Sequence, residues 1–162
     1  MLSLSIDGAE ALQARLDAFP AAVLSELAVK AQALGEALAD KVRNEKLSGQ
    51  VLNARSGALR DSIGAEVTSG GDEVSASVGS YGDVKYAAIQ EYGGKTAAHQ
   101  ILPTKGNVLA FLVAGAMHFA RRVEHPGSVI PERSYLRSSL EEMSADIVAA
   151  LAATPTETWE DA

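Results

Sequence analysis

The chain contains no cysteine, which removes disulfides, thiolate nucleophiles and thiolate metal sites together. It also lacks a long apolar run. The longest, Val108-Leu-Ala-Phe-Leu-Val-Ala-Gly-Ala-Met117, falls well short of the roughly 20 residues that span a bilayer, and Met1-Leu-Ser-Leu-Ser-Ile6 lacks the basic start of an export signal. No membrane segment is expected. Basic residues are in deficit, with 14 Lys and Arg against 21 Asp and Glu for a formal charge of −7. A surface of that sign repels a phosphate backbone, which argues against general or sequence-specific nucleic-acid binding.

Complete catalytic motifs are missing as well. Gly93-Gly94-Lys95-Thr96 has the Gly-Lys-Thr end of a phosphate loop, but the earlier glycine that the motif requires falls on Ile89, and the segment follows a predicted helix instead of a strand. No Gly-x-Ser-x-Gly elbow occurs, so no serine is presented to a base and an orienting acid. His99, His118 and His125 are the only imidazoles, and no two lie four apart on a helix as a zinc pair would. A metal site drawn from them with Glu91 or Asp83 would have to assemble across loops. Glu141-Glu142 and Glu157 to Asp161 read as solvated faces, and Arg121-Arg122 as a basic pair that meets acidic neighbours at the surface. The sequence therefore predicts no catalytic residue, no cofactor-binding residue and no metal ligand.

What is present is a globular balance, 47% hydrophobic and 22% charged over 162 residues, enough for one domain with a real core. Leu2 to Ile6 alternates as a short strand, and Asp7-Gly-Ala-Glu10 reads as an N-cap with an acidic third helical position. The helix that follows carries Leu12, Leu16 and Phe19 on one face. Pro20 marks a kink or a boundary, and Leu24, Leu27, Ala31, Leu34, Leu38 and Val42 continue the stripe, ending near Ser48-Gly49. Gly35 weakens the helix by roughly 1 kcal/mol and allows close packing.

A short helix is predicted over Ser56 to Ile63 with Ser56 as its cap, then a hairpin in which Ala65 and Val67 alternate before Ser69-Gly-Gly-Asp72 and Val74, Ala76 and Val78 after it. Tyr86 to Tyr92 is helical again and is stopped by Gly93-Gly94. A second hairpin is expected from Val108 to Val113, a turn near Ala114-Gly115 and Met117 to Val123, with His118 on the face opposite Met117 and Phe119; its composition marks it as the central, most buried pair. Residues 95–106 and 123–130 read as extended loops suited to recognition. Pro131 is placed to open a closing helix with the stripe Leu136, Leu140, Met143, Ile147 and Leu151. The expected fold is α+β, a long N-terminal amphipathic helix and a C-terminal helix on a small antiparallel sheet of hairpins, forming one domain over 1–153 with a flexible acidic tail over 154–162 whose Trp159 can dock on a neighbour.

Four blocks occur in order: Leu47-Ser-Gly-Gln-Val-Leu-Asn-Ala-Arg-Ser-Gly-Ala-Leu-Arg-Asp-Ser-Ile63, Tyr86-Ala-Ala-Ile-Gln-Glu-Tyr-Gly-Gly94, His125-Pro-Gly127 and Ile130-Pro-Glu-Arg-Ser-Tyr-Leu-Arg137. Together they resemble the bacteriophage virion morphogenesis and tail-completion proteins, the head–tail joining components of tailed phages and prophages, over roughly residues 40 to 150. Two features depart from the commonest form: Ser134 and Ser138 stand where prolines are usual, and Pro126 to Pro131 is a longer spacing. The resemblance implies a structural virion protein of the neck or head-proximal tail, made in the host cytoplasm, assembling as a homo-oligomeric ring with other neck or tail proteins and without bond chemistry. Heterologous contacts between identical subunits close into rings when the rotation permits. The residues themselves leave two other classes standing, a small metal- or ligand-dependent enzyme using the histidines and an interaction module outside any virion.

Overall fold

A computed structural model describes residues 8–52 and 56–161. The protein is α+β, with a long N-terminal helix, a C-terminal helix and small antiparallel sheets. It divides into two compact units where the sequence suggested one domain: residues up to Ala87 with those from Ser134 onward, and Ala88–Arg133. The predicted strand Leu2 to Ile6 and the Asp7 cap lie outside the described residues.

In the first unit, helix α1 (Ala9–Lys41) runs directly into a wider π-type segment, Val42–Gln50, whose helical geometry Gly49 breaks at φ 123°. The stop near Ser48-Gly49 is where the sequence places it. Pro20 is not a boundary, however, since α1 continues through it. Proline deprives the Leu16 carbonyl of its usual N–H partner, and packing further along the helix outweighs that local loss. The apolar stripe is only buried where another element covers it. Ala31, Leu38, Ala39 and Val42 are buried, whereas Leu12 and Leu16 are half exposed.

Helix α2 (Ala58–Ser62) starts after Gly57 at φ 77°, and Ser56 Oγ accepts the Ala58 N–H at 3.4 Å. Strands β1 (Ile63–Gly70) and β2 (Glu73–Ser80) form the predicted hairpin, with Ala65 opposite Val78 and Val67 opposite Ala76. Its base packs on α1 at Gly35, where an added Cβ would lie 3.2 Å from the Ala65 Cβ, so the glycine permits the close approach its position suggested. Arg43 fastens the same junction, donating through Nε to the Ile63 carbonyl at 3.0 Å and through a terminal nitrogen to Asp40 Oδ1 at 2.9 Å. The core is Ala39, Val42, Leu47, Leu59, Ile63 and Tyr135, flanked by Leu52, Val78, Val84, Ala87 and Leu136.

The closing helix, α4 (Leu136–Asp161), begins five residues later than Pro131. Residues 130–133 are tied to the end of helix α3 (Ala87–Tyr92) instead of joining the closing helix: Ile130 pairs with Gly94, and the Arg133 N–H donates to the Gln90 carbonyl at 2.9 Å. Ser134 Oγ then accepts the Ser138 N–H at 3.3 Å and caps the helix. Residues 154–161 are not a tail but the last turns of α4. Thr154 and Thr158 are buried, their hydroxyls donating to the carbonyls of Ala150 and Thr154. Trp159 docks within its own chain: its ring meets Phe19 edge-on at 5.3 Å, and the Arg15 guanidinium lies 4.2 Å above it.

Glu142, exposed on a solvated face as expected, also binds Lys46 and Lys41 at once, the latter at 3.1 Å. Hydrogen bonds from Lys46 and then Lys41 hold its carboxyl below the usual range, while hydrogen bonds to Glu45 and then Glu142 raise Lys41. Glu142 has the lower pKa in the folded state, so its contribution is complete above the unfolded value of about 4.3 and disappears as pH falls through the folded one. The Lys41 contribution has the opposite sign, being complete below about 10.4 and lost as pH rises through the raised value. Glu142→Gln should therefore lower stability near neutral pH and flatten the acid limb of a denaturation midpoint against pH profile; an unchanged acid limb would refute the pairing.

Candidate functional site

The second unit is an antiparallel arm of paired strands that begins within helix α3 and ends ahead of α4 in the chain. Glycine chemistry starts it. Gly93, at φ 68°, ends α3 where an added Cβ would lie 2.7 Å from the Glu132 nitrogen and 3.0 Å from the Ile130 oxygen, so only glycine fits. Strand β3 (Gly94–Lys95) then pairs with β8 (Val129–Ile130), and β4 (His99–Ile101) with β7 (Val123–His125). These pairs stand where the sequence suggested loops over 95–106 and 123–130. Lys95 and Thr96 lie along this ribbon, so the partial phosphate motif builds no cradle of backbone amides.

His125-Pro-Gly127 forms the joint between the two pairs. The Gly127 N–H donates to His125 Nδ1 at 3.0 Å, and Gly127 adopts φ 87° directly against the Thr96 carbonyl, 2.2 Å from where a Cβ would stand. Thr96 and Ser128 close the joint reciprocally: the Thr96 N–H donates to the Ser128 carbonyl at 2.9 Å, and the Ser128 N–H to Thr96 Oγ1 at 2.8 Å. Opposite one another in the register, the rings of His99 and His125 stack with centroids 4.9 Å apart. His99 Nδ1 donates to the Ala97 carbonyl at 3.1 Å while His125 Nδ1 accepts from Gly127, so Nδ1 carries a proton in His99 and none in His125.

Two of the three histidines thus come together, and the third does not join them. His118 stacks on its cross-strand partner Phe111 at 6.2 Å. Among the described residues no group of three or more His, Asp and Glu side chains could hold a metal ion. Glu91 is buried on α3, and Asp83 lies 3.9 Å from Lys85. Arg122 meets an acidic neighbour as expected, 3.9 Å from Glu124, which also accepts from Gln100 at 2.7 Å.

Beyond this ribbon, seven residues (102–108) face only two (121–122), and the arm ends in β5 (Leu109–Val113) and β6 (Ala116–Ala120). Ala114 and Gly115 turn the chain with φ 50° and 84°, the left-handed pair that a two-residue hairpin turn needs. The sequence placed this hairpin at the centre of the fold, and here it was misleading. Leu112 and Phe119 are 68% exposed and Met117 57%. Cross-strand pairing puts Ala110, Leu112, Met117 and Phe119 on one face and Leu109, Phe111, Val113, Ala116, His118 and Ala120 on the other. Neither strand carries a Lys, Arg, Asp or Glu. β-rich composition reports a side chain that suits a covered sheet, not which molecule covers it.

In the first unit, a cleft of about 360 Å³ is lined by Ala22, Ser25, Glu26, Lys30, Glu157 and Thr158. Lys30 and Glu157 form an ion pair there, which commits its opposite charges to each other. No helix among the described residues is long and apolar enough to cross a membrane. No protein-family model, curated protein or solved structure matches the chain.

Proposed function

We propose that this chain is a structural protein of tailed-phage particles that joins or completes the tail at the head–tail neck, working by docking to copies of itself and to other neck or tail proteins. The observation that carries this reading is the arm tip, an uncharged hairpin whose largest side chains lie open to solvent. A two-stranded hairpin is marginal in water by itself, and an exposed apolar patch at its end is the mark of a surface meant to be covered.

The physical roles of the four family-like blocks are consistent with it. Leu47, Leu59 and Ile63 of the first block and Tyr135 of the last are core residues, so both blocks specify packing. Residues 53–55 of the first block lie outside the described residues. The middle two blocks supply Gly93 and the His125-Pro-Gly127 joint, which shape the arm. All four serve scaffold and display, as an assembly protein requires, with the virion neck as the place of action and the host cytoplasm as the place of synthesis.

Mass spectrometry of purified tailed particles tests the reading. The chain should be present in them as a minor component, and particles made without it should accumulate as separate heads and tails. Its repeated absence from intact tailed particles would sink the proposal.

A further inference from the structure

The arm and the remainder of the chain differ in sign. Ala88–Arg133 holds five cations, Lys95, Lys105, Arg121, Arg122 and Arg133, against Glu91, Glu124 and Glu132, a formal +2. The rest has nine Lys and Arg against eighteen Asp and Glu, a formal −9. Within the arm, the uncharged tip is preceded in the chain by Lys105 and followed by Arg121 and Arg122, all exposed, with Arg122 3.9 Å from Glu124. An apolar end flanked by cations matches a receptor that is acidic and shows apolar side chains of its own. The helical unit is such a surface. Leu140 and Val148 are exposed on α4, and helical spacing puts them on one side with Arg137 and Glu141, so the acidity belongs to the unit as a whole.

We propose that the arm of one copy docks on the acidic helical unit of a second copy, with Leu112, Met117 and Phe119 against the α4 face carrying Leu140, Glu141 and Val148. This deepens the assembly reading and rests on it only in taking the arm as a docking element. Charge decides among the pairings that identical copies can make. Arm against arm joins two positive surfaces, and body against body joins two strongly negative ones. Arm against body alone joins opposite signs. Because donor and acceptor are different surfaces, the contact is heterologous and repeats into a ring or an open chain. The apolar tip supplies the buried centre and Arg121 and Arg122 the charged rim, which makes association dependent on salt.

Sedimentation velocity on the purified full-length chain, over a concentration series at low salt and at about 1 M NaCl, tests this. Association should weaken about tenfold or more at the higher salt, and Phe119→Asp with Leu112→Asp should make the chain monomeric. Val148→Asp on α4 should do the same, each variant keeping the wild-type helical circular dichroism. Mixing the two monomeric variants should restore a one-to-one dimer, because one retains its arm and the other its acceptor. A wild-type chain that stays monomeric throughout overturns the proposal. So does a mixture that remains monomeric, association that strengthens with salt, which would indicate tip-to-tip apolar contact, or an arm that binds DNA and not a second copy. Self-association by a chain absent from particles would leave this inference standing while the neck assignment fails.

Discussion

Gly127→Ala should unfasten the arm while leaving the helical unit folded. The methyl group would be placed 2.2 Å from the Thr96 oxygen and 3.2 Å from the carbon of the same carbonyl. Both are backbone atoms, so no rotamer change relieves the contact. Alanine at φ 87° adds strain of about 1–3 kcal/mol. Moving Thr96 away then sacrifices its reciprocal hydrogen bonds with Ser128, each a net contribution of about 1 kcal/mol. An arm with so little covered apolar surface has nothing to offset such a loss. Hydrogen exchange should show the Thr96 and Ser128 amides exchanging far faster than in the wild type, with protection in α1 and α4 unchanged. Wild-type protection at both amides would show that the joint tolerates a side chain. Gly93→Ala, whose methyl group would meet the Glu132 backbone nitrogen at 2.7 Å, should loosen the arm at its root in the same way.

The largest loss of global stability is expected from Tyr135→Ala. Tyr135 is 1% exposed, packs among Ala39, Val42, Leu47, Leu59 and Ile63, and donates its hydroxyl to the Ala87 carbonyl at 3.2 Å. Removing a buried aromatic ring costs about 3–5 kcal/mol, a large share of the 5–15 kcal/mol typical of a domain. Tyr135→Phe keeps the ring and loses only the hydroxyl, about 1 kcal/mol. Urea denaturation of the two variants separates packing from hydrogen bonding: Ala should lower the midpoint severely and Phe slightly. Similar midpoints for both would mean that the hydroxyl, and not the ring, secures the core.

Local pattern was a sound guide wherever the relevant physics is local. The β1–β2 hairpin was legible because Ala65, Val67, Val74, Ala76 and Val78 alternate around glycines. The end of α3 was legible because paired glycines reach left-handed conformations that other residues avoid. The first hydrophobic stripe correctly marked a helix, but its buried half could not be told from its half-exposed start. Leu12 and Leu38 present the same periodicity, and only the elements around them differ.

Pro20 and the acidic C-terminal segment misled for a related reason. Pro20 and Pro155 sit inside helices, and Thr154 and Thr158 carry the final turns of α4. Their propensities are unfavourable by a few kcal/mol at most, less than the packing that Phe19, Trp159 and the facing helix contribute. Tyr135 looked like one residue of a motif and is the anchor of the core. A tyrosine just ahead of the Leu136 stripe was the available signal.

The candidate site divides along the same line. By itself the sequence determined the fold class, the first hairpin, the glycine stop after α3 and the want of any complete catalytic motif, because each depends on neighbours within a few positions. Only the tertiary structure decided that 88–133 forms a separate unit, that its apolar tip is uncovered and that two histidines stack across it. Burial and cross-strand contact depend on residues distant in the chain, and a hydrophobic pattern reads the same whether its cover comes from the same molecule or from another.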